Sequence, residues 1–217
     1  MPTHMKIDFV SDVSCPWCII GLRALEQAIE RIGPELEVEL EFQPFELNPQ
    51  MPPEGQDLDE HIMQKYGMGP ADTARNREAI RARGAELGFE FRMDKRDRIY
   101  NTFDAHRLLA WAFGEGKQHE LKHALFDAYF TQGLSPGDHA VLLAVAESVG
   151  LDALRAAAVL ASDEYADEVR GREGFYHQHG IHAVPAIILN ERHLLQGGQP
   201  TEVFEQALRE IAAKDSA

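Results

Sequence analysis

Only two of the 217 residues are cysteine, and they stand three positions apart, Cys15 and Cys18. A disulfide framework spreads its cysteines along the chain. This pair joins nothing distant and is a candidate for chemistry instead. Basic residues are also scarce, with 21 Lys and Arg against 36 Asp and Glu and a net charge of −15. Polyanion binding needs many Lys or Arg to neutralise phosphates, so nucleic acid is not an expected partner. No apolar run approaches the ~20 residues of a membrane helix, and no membrane partner is expected. The start, Met1-Pro2-Thr3-His4-Met5-Lys6, has no basic stretch leading into an apolar one. No signal peptide is read there, and the cytoplasm is the expected location.

What is present is an ordinary globular composition, 44% hydrophobic and 26% charged. The length suffices for one sizeable core, or a core carrying an insertion. One stretch is locally basic: Arg75, Arg77, Arg81 and Arg83, then Arg92, Lys95, Arg96 and Arg98. Interleaved Glu78, Glu86, Asp94 and Asp97 make it read as a solvated helix face, with a patch for an anionic substrate as the alternative.

The periodicity predicts a short buried strand over Lys6–Val10, a turn at Ser11–Ser14 and a helix from Cys15 to about Arg31. Pro16 suits the first helical turn, where its missing N–H is no loss. Glu37–Phe42 alternates charged and apolar residues, as a half-buried strand does. From about Leu58 to Gly180 the patterns are helical, near 58–66, 71–87, 101–114, 118–131, 138–149, 151–160 and 163–179. The tail returns to strands: Val184–Leu189, a turn at Asn190–Arg192, and His193–Leu195, followed by a last helix from Thr201 to about Ala213. A β-α-β start and a β-β-α end describe one α/β domain, residues 1–56 and 181–217, interrupted by a helical insertion, residues 57–180.

A Cys-x-x-Cys that opens a helix directly after a strand is a redox signal. The thiolate is the nucleophile, and the free N–H groups and macrodipole of a helix N-terminus favour that charge. Cys15, at the helix end, is expected to be the exposed, attacking thiol, and Cys18, one turn inside, the resolving one. Zinc is the competing use of such a pair. It wants four ligands, and His177, His179 and His182 form a cluster that could complete a set. Those histidines read better as a helix end meeting its last carbonyls, so no metal is expected. Val184-Pro185 places a proline at a strand start, where a missing donor does no harm. Trp17 reads either as an apolar contact for substrate or as packing over the helix start. Asp12 reads as a turn residue, with proton transfer to Cys15 as the alternative.

The order strand, Cys-x-x-Cys helix, strand, helical insertion, proline-led hairpin and final helix resembles the DsbA-type branch of the thioredoxin fold. Within it the chain is most similar to the FrnE-like group. The resemblance rests on Ser11-Asp12-Val13-Ser14-Cys15-Pro16-Trp17-Cys18, Pro44-Phe45-Glu46-Leu47-Asn48-Pro49, Asn101-Thr102-Phe103-Asp104-Ala105-His106-Arg107-Leu108, Gly180-Ile181-His182-Ala183-Val184-Pro185 and Gly197-Gly198-Gln199-Pro200. It implies an α/β thioredoxin-like fold with a large all-helical insertion. It also implies a cis Pro185 against the cysteine pair and a Val184 backbone that pairs with an extended substrate segment. Pro16, Trp17 and Val184 would contact substrate. Asn101 and His106 match a motif near the site, though the first also suits a helix cap and the second a core position.

The activity so implied is thiol-disulfide exchange, as reductase, oxidase or disulfide isomerase, on protein or small-thiol substrates. No cofactor is expected beyond the redox-active cysteines, with glutathione admissible as co-substrate. Two other readings stand beside it. One is a glutathione-dependent isomerase or transferase of the 2-hydroxychromene-2-carboxylate isomerase or kappa type, whose members usually carry serine where Cys15 stands. The other is a non-catalytic, chaperone-like binding module. Sequence fixes neither redox direction nor oligomeric state.

Overall fold

The structure, a computed structural model, describes residues 2–215. Residue 1 and residues 216–217, at the ends of the ranges expected for the α/β domain, lie outside the described residues. The chain begins with β1 (Thr3–Ser11), α1 (Pro16–Ile32) and, after a short 3-10 turn, β2 (Leu36–Pro44). Ile7 to Ser11 are all buried, as a central strand covered on both faces requires. On α1, Ile19, Leu22, Leu25 and Ala28 recur at helical spacing and are buried, and Gly33, at φ 67°, ends the helix. With α1 as the crossover, β2 pairs parallel to β1.

The middle of the chain holds β3 (Gln56–Asp57), α2 (Leu58–Tyr66), α3 (Pro70–Glu86), β4 (Arg98–Ile99), α4 (Phe103–Gly114), α5 (Gln118–Phe130), α6 (His139–Ser148), α7 (Ala153–Leu160) and α8 (Ala166–Gln178). The predicted helices appear with ends shifted by at most three residues. The two-residue strands β3 and β4, which pair antiparallel, were not expected: two residues are too few to show an alternation. β5 (Ala186–Leu189), β6 (His193–Gln196) and α9 (Thr201–Asp215) close the chain. The main sheet has the order β2-β1-β5-β6, with β5 antiparallel to β1 and β6 antiparallel to β5. This is the mixed, thioredoxin-like sheet that the resemblance implies.

The main core fills the space between the sheet, α1 and α9, with Phe9, Ile20, Leu22, Ile187, Phe204 and Leu208 fully or almost fully buried. Ile80, Leu87, Phe91, Phe126, Tyr129 and Phe130 belong to the same core. The helical block thus packs directly onto the cysteine helix through α3, α5 and the segment after α3. A second apolar cluster, including Leu108, Trp111, Leu121, Leu142 and Val159, holds α4 to α7 together. Among the described residues no helix is long and apolar enough to cross a membrane.

Candidate functional site

Cys15 is the N-cap of α1, with extended backbone at φ −91° and ψ 113°, and Pro16 follows at the first helical position. Cys18 lies one turn inside the helix, and its N–H donates to Cys15 O at 3.1 Å. Burial pushes the Cys18 thiol well above its ordinary value, and the adjacent Cys15 adds to that rise. Cys15 was expected to be exposed, but only 4% of its surface is accessible. The correction comes from tertiary structure: Cys15 joins the main buried core, and the Val184 carbonyl, far along the chain, meets its sulfur. Its Sγ–H donates to Val184 O at 3.8 Å. The Val184–Pro185 peptide bond is cis. Pro185 is buried, and its Cγ would stand 3.1 Å from a Cβ at Gly21. That glycine lets α1 pass this close to the proline.

Cys15 opens into a groove of about 690 Å³. Pro16, Trp17 and Val184 line it beside Cys15, Leu47 and Ile62 add apolar wall, and Lys65 and Arg96 add positive charge. Trp17 is exposed at the rim. Lys65 Nζ donates to Leu47 O at 2.7 Å and to Asn48 Oδ1 at 2.8 Å, holding the loop after β2 against α2. The Arg96 guanidinium lies over the Tyr129 and Phe130 rings at 4.9 and 5.0 Å. Its Nη2 donates to Ser14 O at 3.4 Å. The basic stretch of the sequence therefore divides. Arg75, Arg81, Arg83 and Arg92 pair with Asp72, Glu78, Glu86 and Asp94 on the surface, whereas Arg96 lines the groove, as does Arg77, which pairs with Asp59.

Behind the cysteines sits a buried polar layer. Asp12 forms the expected turn, with Oδ1 accepting from Ser14 N at 3.2 Å. Its Oδ2 also accepts from Leu47 N at 2.8 Å, tying the cysteine loop to the loop after β2. Burial pushes the Asp12 carboxyl up, but His106 and these two backbone donors outweigh it and hold it below its ordinary value. His106 Nε2 lies 3.6 Å from Asp12 Oδ1, beyond hydrogen-bond reach. His106 does not line the groove, and neither does Asn101. Asn101 Oδ1 accepts from Phe103 N at 2.9 Å, and its Nδ2 donates to Met51 O at 3.4 Å, so it shapes the start of α4.

Lys122, on α5, carries no signal in the sequence. It is fully buried, and its Nζ has no hydrogen-bond partner. It lies over the Phe42 and Phe126 rings at 5.6 and 5.2 Å. Burial pushes it down to about 8, against the pull of Cys18, Asp12 and Cys15. Only the tertiary fold makes such a residue visible, since a lysine on a helix reads as solvated. The three histidines weighed as zinc ligands do not converge. The His177 and His182 rings are 5.8 Å apart, but His179 stacks on Phe175 at 4.1 Å and its Nδ1 lies 2.8 Å from Phe175 O, at the end of α8.

Comparisons with known proteins agree with this geometry. The profile of the DSBA-like thioredoxin domain matches residues 6–209. The chain is 28% identical over 215 residues to the uncharacterized protein YwbO of Bacillus subtilis (strain 168), covering 99% of this chain and all of that one. It is 35% identical to a probable DsbA oxidoreductase, SCO1869, from Streptomyces coelicolor, with a TM-score of 0.87 over 95% of this chain and 89% of that one. The cytosolic disulfide reductase DsbM from Pseudomonas aeruginosa, solved with GSH, has a similar fold. It is 18% identical, with a TM-score of 0.63 over 94% of this chain and 98% of that one.

Proposed function

Because the chain belongs to the DSBA-like thioredoxin domain family, we propose that it is a thiol-disulfide oxidoreductase in which Cys15 is the nucleophile and Cys18 the resolving thiol. One observation carries the reading: the Cys15 sulfur lies at a groove wall beside the Val184 carbonyl, with Cys18 sealed one turn beneath it. In the reducing direction, the Cys15 thiolate attacks one sulfur of a substrate disulfide. A mixed disulfide forms and the other substrate sulfur leaves as a thiolate. Cys18, once deprotonated, attacks Cys15 Sγ. The Cys15–Cys18 disulfide forms, and the second substrate thiol is released. Two electrons pass from the dithiol to the substrate, and an external thiol such as glutathione returns them. Run backwards, the same steps oxidise a substrate dithiol.

The burial of Cys18 supports this division of labour, since a substrate reaches Cys15 but not its partner. The groove suits a bound thiol compound or an extended peptide, with apolar walls for side chains and Lys65 and Arg96 for carboxylates. Trp17, Pro16 and Val184 are the proposed substrate contacts, and Asn101 and His106 support the loops that carry them. The intact cysteine pair favours this reading over the isomerase and transferase types. The cytoplasm is its proposed setting, with glutathione as co-substrate.

The test is insulin disulfide reduction, with dithiothreitol or glutathione as electron source, for wild type beside Cys15→Ser. Wild-type turnover that vanishes in the variant is the expected result. Equal turnover in both proteins would sink the assignment.

A further inference from the structure

We propose that Glu26, His119 and His123 form a binding site for a divalent transition cation of the zinc, cobalt or nickel class, separate from the cysteine pair. His119 and His123 are four residues apart on α5, so their rings rise from one face of that helix. Glu26 comes from α1 and faces them. His119 Nε2 lies 2.7 Å and His123 Nε2 2.5 Å from the same carboxylate oxygen, Glu26 Oε1. The three ligand atoms lie within 4.8 Å of one another. Metal–ligand bonds of about 2.0–2.2 Å place the donors of one tetrahedral cation roughly 3–4 Å apart, so small side-chain movements admit an ion.

The donor set names the class of ion. Two imidazoles and one carboxylate suit zinc, nickel, cobalt or copper, whereas magnesium and calcium want more oxygens. Glu26 Oε2 is engaged by Arg23 Nη1 at 3.3 Å, which leaves Oε1 as the single ligand oxygen. Three protein donors leave a fourth position for water.

The site is built on rigid elements and is open on one side. The Glu26 and His123 side chains are 20% and 25% exposed, and that of His119 is 51% exposed, which gives an ion its way in. Below His119 the ring of the buried Phe42 lies at 6.0 Å and limits its swing. Glu26 is eight residues beyond Cys18 on α1, about 12 Å along the axis at 1.5 Å per residue, so the thiols are not part of the set. A bound ion would clamp the cysteine helix to α5. The His-x-x-x-His spacing was visible in the sequence, but its carboxylate, 93 residues earlier, was not.

The probe is Zn²⁺ itself, added to chelator-treated full-length protein whose two thiols are removed by Cys15→Ser and Cys18→Ser together. Titration calorimetry is expected to give one ion per chain, and thermal melts a higher Tm with Zn²⁺. Glu26→Gln and His119→Ala are each expected to weaken binding by roughly tenfold or more. The second changes an exposed side chain and leaves the fold intact, as circular dichroism will confirm. Co²⁺ is expected to give the visible absorption of a tetrahedral nitrogen-oxygen site, lost in both variants. No uptake of Zn²⁺, or uptake that neither substitution weakens, would overturn the proposal and leave the three side chains as a hydrogen-bonded clasp between helices.

Discussion

Replacing Lys122 by methionine is expected to make the protein more stable and its exchange chemistry slower. The ammonium is fully buried and unpartnered, and two aromatic faces only partly replace its lost water. Its fall from 10.5 to about 8 converts, at ~1.36 kcal/mol per pH unit, to a cost of about 3 kcal/mol at pH 7. The sign follows from proton counting. Between pH 8 and 10.5 the unfolded chain binds more protons at this site than the folded one. The site's cost is therefore complete below about pH 8 and is relieved as pH rises towards 10.5. Methionine has a similar length, fills the same volume and carries no charge. Urea unfolding of both proteins in metal-free buffer is expected to give the variant an advantage of about 3 kcal/mol at pH 7, shrinking to less than about 1 kcal/mol at pH 10. Comparing the two at each pH cancels the titrating groups that do not feel the Lys122 charge. The positive charge also lowers the buried Cys18 thiol, so its loss is expected to slow release of the mixed disulfide. A variant that is less stable than wild type at pH 7, or an advantage that does not change with pH, would show that the buried ammonium carries no such cost.

Cys18→Ser is expected to keep the first step and lose the second, so the protein accumulates as a mixed disulfide with glutathione. Intact mass spectrometry detects it, and an unmodified Cys15 after oxidised glutathione treatment would contradict it. Gly84→Ala is expected to cost about 1–3 kcal/mol, because its Cβ would stand 2.4 Å from two carbons of the Phe91 ring and 3.0 Å from Phe89 O, too close for packing to absorb. Chemical denaturation measures that loss, and an unchanged midpoint would show that the ring moves aside freely.

The parts of the fold written in local patterns were legible in the sequence. Alternation in Glu37–Phe42, the apolar run of Ala186–Leu189, and Pro16 and Gly33 at the two ends of α1 each carry their physical cause within a few residues. The cysteine pair was legible for the same reason: helix position and strand context surround it in the chain. What needs distant residues was not. The low exposure of Cys15 depends on the core it joins and on Val184, 169 positions away. Asp12 reads as a turn residue, and it is one, but its hold on Leu47 spans 35 positions. Lys122 looks like any solvated lysine until α5 is laid against Phe42. Arg77 and Arg96 cannot be separated from the other basic residues of their stretch by charge pattern alone, since only packing places them on the groove.

The ladder around β1 has a consequence for how this architecture diversifies. Ser11 stands opposite Pro44 and Val10 opposite Ala186 in neighbouring rungs of one sheet. The cysteine loop, the loop after β2 and the Val184-Pro185 turn therefore leave the sheet at the same end, their spacing fixed by backbone pairing. The Cys15 sulfur and its carbonyl neighbour are positioned from the sheet, while α2 and α3 supply much of the groove wall. Side chains on those two helices can be exchanged without altering the rungs that place the sulfur. The place of the sulfur and the lining of the groove thus lie on separate stretches of the chain.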